Sequence, residues 1–167
     1  MKAFTRAQCC PQDLLQAAMD HLRSAKVLFD RHPCCYDSAG YLTHLGLELI
    51  FKAWLLDEVG RFDAEHSLKV LRESIQSAGI ELSLRQDHVE LLNKLDDFGA
   101  LRYPGLNKSP SIGNRDWEHT EVLLEWIFGR MPSALQECIR SIDATRKSGR
   151  ILLKKPKPRL SRPLASS

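Results

Sequence analysis

The stretch Tyr41-Leu-Thr-His-Leu-Gly-Leu-Glu-Leu-Ile-Phe-Lys-Ala-Trp-Leu-Leu56 decides the fold class. From Leu45 to Leu56 only Gly46, Glu48 and Lys52 interrupt the apolar residues. That run is too short to span a bilayer, and a helix that is apolar on nearly every side belongs at the centre of a bundle, with neighbours all round it. His44, Glu48 and Lys52 follow one another at four-residue intervals, with Glu48 ahead of Lys52 in the favourable order, and so draw one polar stripe along the helix. A polar stripe on a buried helix is either an ion pair satisfied at the bundle rim or the lining of a site. The helix is expected over about Asp37 to Glu58, ended by Gly60.

Working outward, every strong periodicity is helical. A first helix is expected from about Pro11 to about Arg31, with Leu14, Leu15, Ala18, Leu22, Ala25 and Phe29 on one face and His32-Pro33 as its stop. Beyond Gly60, residues 61–65 make a short connection into a third helix, about Ser67 to Ala78, with Leu68, Leu71 and Ile75 inward. A fourth, about Ser83 to Phe98, carries Val89, Leu92 and Leu95 on one face. Residues 99–115 hold Gly99, Pro104, Gly105, Pro110 and Gly113 and read as a long loop. The last helical region starts near Asp116 and is kinked or broken at Pro132. Trp54 and Trp126 read as core anchors. The expected class is all-α, an up-and-down bundle of four to five helices over residues 11–145, preceded by a flexible segment over 1–10.

The chain has 167 residues, 43% of them hydrophobic and 27% charged, which suits one soluble globular domain. Its formal charge of +3 conceals an asymmetry. No acidic residue follows Asp143, whereas Arg146, Lys147, Arg150, Lys154, Lys155, Lys157, Arg159 and Arg162 all lie in 146–167. Of 24 basic residues, 16 remain in 1–145 against 21 acidic ones, a balance of −5. The bundle is thus acidic, which argues against a broad phosphate-binding surface on it, and 146–167 reads as a basic, Pro-containing disordered tail.

Cys9, Cys10, Cys34, Cys35 and Cys138 are odd in number and fit no common disulfide framework, so reduced thiols are expected. A metal site built from His32 and the four N-terminal cysteines is the alternative, although the C-x-x-C spacing is missing. No apolar leader or spanning segment is evident, which points to the cytoplasm and away from membranes. There is no phosphate-binding Gly-x-x-x-x-Gly-Lys loop, dinucleotide fingerprint, His-Glu-x-x-His helix or Gly-x-Ser-x-Gly elbow. No cofactor and no metal are expected.

The Glu48-x-x-x-Lys52-Ala53 element on the central helix, Glu65-His66-Ser67-Leu68-Lys69-Val70-Leu71 opening the next, and Leu101-Arg102-Tyr103-Pro104 in the loop resemble the HEPN domains, the "higher eukaryotes and prokaryotes nucleotide-binding" helical bundles. The resemblance covers roughly 11–145. It implies a bundle of four or five helices, commonly a homodimer. It also implies a bacterial defence, toxin–antitoxin or stress setting, with a nucleotidyltransferase or other partner protein, RNA or a nucleotide as the partner. Many members are metal-independent RNases with an Arg-x(4–6)-His motif, and others have lost it and act as binding or scaffold domains.

Two pairs bear on that motif. Arg61 and His66 have the family's spacing but lie between the second and third helices, earlier than the motif's usual place. Arg115 and His119 lie in the later place with only three residues between them. Chemically such a pair needs little else: the 2′-hydroxyl of RNA is the nucleophile, the imidazole moves protons near neutral pH, and the guanidinium holds the phosphate. A symmetric dimer can bring two short motifs to one cleft. Against this, His66 also reads as a capping or packing residue, His119 as a structural or partly exposed one, and Arg102 and Tyr103 as braces of the long loop. His44, Glu48, Lys52, Arg102 and Tyr103 are the candidate binding residues. The expected function is that of a HEPN-like association module, with a metal-independent endoribonuclease as the alternative.

Overall fold

The computed structural model describes residues 3–102 and 111–148. Helix α1 (Pro11–Arg31) opens with Pro11, whose fixed φ suits a first turn, and a short 3-10 turn, Pro33–Cys35, leads straight into α2 (Tyr36–Val59). Leu15, Ala18, Leu22, Ala25 and Phe29 form the buried stripe of α1, which packs along α2 more extensively than any other pair of elements does. The two helices approach closely because α2 offers Gly46 there: a Cβ at that position would lie 2.7 Å from Leu22 Cγ and 3.3 Å from the Ala18 carbonyl oxygen.

Helix α2 is central. Leu47, Ile50, Phe51, Trp54 and Leu56 are all fully buried, and His44, Glu48 and Lys52 of its polar stripe are buried as well. It also packs against α3 (Leu68–Ser77), α4 (Gln86–Asp96) and the 3-10 turn Asp97–Arg102 that continues from α4. Gly60, at φ 78°, ends α2 in the left-handed conformation that glycine adopts without a Cβ penalty. Helix α5 (Asn114–Phe128) and helix α6 (Ser133–Ser148) are separate helices broken at Pro132, and they complete the bundle. Among the described residues no helix is long and apolar enough to cross a membrane.

Several details depart from the sequence expectation. Two short strands, β1 (Ala3–Thr5) and β2 (Arg61–Asp63), pair antiparallel with Phe4 opposite Phe62, and the two rings stack 5.4 Å apart. The flexible segment expected over 1–10 therefore holds a paired strand. Arg6 fastens it further, since its guanidinium donates to the carbonyls of Leu56 and Asp57 at the end of α2, where helical carbonyls lack partners. The fourth helix starts at Gln86, not near Ser83, and its buried face is His88, Leu91, Leu92 and Leu95, with Val89 only half-buried. Trp126 is not a core anchor: it lies half-buried at the surface, donates from Nε1 to the Ser83 carbonyl at 3.1 Å and carries the Arg130 guanidinium 3.3 Å above its ring. Trp54, by contrast, is 1% exposed. Residues 103–110 of the expected loop and 149–167 of the expected tail lie outside the described residues.

Candidate functional site

The buried stripe of α2 ends in a cluster of charged groups. Glu48, only 4% exposed, receives a hydrogen bond from Lys52 Nζ at Oε1 (2.6 Å) and sits 2.9 Å from His66 Nδ1 through the same oxygen. His44, one turn earlier and 1% exposed, places Nε2 3.6 Å from Glu48 Oε2, an ion-pair distance beyond hydrogen-bond length. The other ring nitrogen of His44 lies 3.1 Å from the Leu95 carbonyl. Burial pushes the Glu48 carboxyl up, but His44, Lys52 and His66 outweigh it and hold the group at about 2. Glu48 is thus ionised throughout the neutral range. The approach of Gly99 seals the inner end, because a Cβ there would stand 2.9 Å from the His44 ring.

His66 reaches the cluster because of how α3 begins. Ser67 is the N-cap, with its hydroxyl accepting from Val70 N at 3.3 Å and donating to Asp96 Oδ2 at 2.7 Å. Asp96, the last residue of α4, also accepts from the backbone amide of Leu68 at 2.7 Å, so one carboxylate joins the C-terminal end of α4 to the N-terminal end of α3. Glu65 accepts from the amides of His66 (2.7 Å) and Ser67 (2.9 Å), and these backbone bonds, that of Ser67 first, hold its carboxyl below the usual range. The imidazole of His66 is left half-exposed at the rim while its Nδ1 is fixed on Glu48.

Of the sequence candidates, then, His44, Glu48, Lys52 and His66 come together. Arg61 is exposed on β2 and borders a cavity of about 360 Å³ with Phe62, Glu65, Val70 and Leu71. Arg115 and His119 lie one turn apart and exposed on α5. The side chain of Arg102, and Tyr103 entirely, lie outside the described residues. Sequence reasoning missed Asp96, Glu65 and Gly99. Asp96 carries no local signal, because its partners are 28 and 29 residues away in the chain.

No three His, Cys, Asp or Glu side chains among the described residues converge as metal ligands, so His32 and the four N-terminal cysteines do not assemble into one site. All five cysteines are free.

The family model for the HEPN domain matches residues 11–146. The chain belongs to the HEPN domain family. The match begins at the first residue of α1 and ends within α6, and it spans the residues of the polar cluster. No curated protein and no solved structure matches the chain.

Proposed function

We propose that this HEPN domain works by association, pairing with a second copy of itself and binding a partner protein or a nucleotide, in a bacterial defence, toxin–antitoxin or stress system. The observation that carries this reading is the fate of His66. Its Nδ1 is committed to Glu48, a buried carboxylate that Lys52 and His44 also face, while Arg61 is exposed on β2 and borders a cavity with Glu65. The residue pair with the family's RNase spacing is therefore divided between a structural ion network and an exposed strand. A nucleotidyltransferase fits the partner class that the family implies.

A second reading, a metal-independent endoribonuclease, draws support from two observations. A carboxylate at Nδ1 orients an imidazole as proton transfer requires, and His66 is half-exposed. Arg115 and His119 also offer a cation and an imidazole on one exposed helical face.

The association reading is tested by the molar mass of the purified chain in solution together with titration of ATP and GTP. A dimer, with or without a bound nucleotide, is the expected result. A monomer that binds neither nucleotide would contradict it.

A further inference from the structure

The sheet that flanks α2 stops at two strands. β1 takes one edge of β2, and among the described residues no strand lies along the other edge. The cavity of about 360 Å³ borders Arg61, Phe62 and Asp63 together. Successive strand residues point to opposite faces, so a space that touches three in a row runs along the strand's edge. Across from β2 it is lined by Val70 and Ser74, one turn apart on α3, and its apolar lining continues through Leu55, Val59 and Leu71. Four large apolar side chains are exposed among the described residues, and two of them, Val59 and Val70, are in this one groove. Arg61 and Asp63 are exposed on the strand with no ion-pair partner among the described residues. Charges on an edge strand can serve to keep other strands away. Shielding needs no apolar groove beside the edge, however, and exposed valines there would work against it.

We propose that this groove takes an extended segment of a partner protein as a third strand, antiparallel to β2, with a basic side chain opposite Asp63, an apolar one opposite Phe62 and an acidic one opposite Arg61. Opposed residues in a sheet share a face. Phe62 is turned inward, 7% exposed, so the residue opposite it meets the apolar lining of Leu55, Val59 and Leu71. Its two neighbours then point outward beside the unpaired charges of β2. Read from N to C, the antiparallel segment is basic, apolar, acidic. Main-chain hydrogen bonds supply the affinity and the charge order selects the segment. The inference rests on the association reading and names the kind of segment that the partner protein contributes.

The test is fluorescence anisotropy of a fluorescein-labelled peptide, Ser-Thr-Lys-Val-Glu-Thr-Ser, titrated with the full chain. Val70→Lys, an exposed position that leaves helical content intact by circular dichroism, is expected to weaken binding at least tenfold. Arg61→Asp is expected to weaken it at least threefold, and a peptide with Lys-Val-Lys at its centre to recover the loss. Of two versions of the peptide N-methylated at alternate residues, one is expected to lose binding and the other to keep it, because the amides of a strand face its two edges by turns. Absence of peptide binding, equal affinity of the two N-methylated versions, or binding unchanged in Val70→Lys would overturn the proposal. Molar mass and nucleotide titration are read separately, so a dimer that ignores the peptide overturns this inference alone and leaves the association reading standing.

Discussion

Glu48 is a fully charged group at the centre of a helical bundle, and its partners decide whether that is tolerable. Removing a single partner from a buried pair leaves an uncompensated charge, at a cost of about 3–5 kcal/mol. Lys52→Met is accordingly expected to destabilise the domain strongly, as measured by chemical denaturation, and more than any substitution of an exposed lysine. The acid limb of stability follows from the same residue. The carboxyl falls from 4.5 to about 2 on folding, so its contribution is complete above about pH 4.5 and is lost as the pH drops toward 2. That contribution is on the order of 3 kcal/mol and should vanish from the pH profile of Glu48→Gln. His88 adds a second, milder dependence. Burial first, then Arg85 and Arg130, lower its value from 6.5 against the opposing pull of Asp87, so folding favours the neutral ring and stability declines as the pH falls below about 6.5. His88→Leu should flatten that part of the curve.

At the scale of elements, the junction of α3 and α4 depends on Asp96, which takes the Ser67 hydroxyl and the Leu68 amide. Asp96→Ala is expected to lower stability by about 1–2 kcal/mol in urea unfolding, and Asp96→Asn to recover part of the loss. Gly46→Ala should cost about 1–3 kcal/mol, because the added methyl meets Leu22 and the α1 backbone with little room to yield. The helices themselves were legible: the 3–4 spacing from Leu15 to Phe29, the all-round apolar face of Leu45–Leu56, Gly60 and Pro132 mark what the structure contains. The strands were not, because three residues are too few to show a period and their pairing joins Phe4 to Phe62 across the length of α1 and α2. The sequence pattern puts Val89 and not His88 on the inner face of α4, because the register of that helix is set by what packs against it, which a local pattern does not contain.

For the whole molecule, the polar stripe of α2 was visible as spacing, but its closure by His66 and its link to α4 through Asp96 depend on contacts made when separate helices meet. Spacing also pairs Arg61 with His66; in the fold His66 Nδ1 lies on Glu48 and Arg61 is exposed on β2. The charge asymmetry of the chain yields a separate expectation. Any RNA affinity of the full chain should fall steeply with salt and drop when residues 146–167, with their eight basic side chains and no acidic ones, are deleted. Retention of affinity in a filter-binding assay after that deletion would place the binding on the bundle instead.

The most direct measurement is cleavage of a diverse RNA pool by the purified chain with chelator present, run beside Arg61→Ala/His66→Ala and Arg115→Ala/His119→Ala. The account predicts no cleavage above background by any of the three proteins. Robust cleavage by the wild-type chain, lost in one double variant that remains folded, would contradict it and identify the pair responsible.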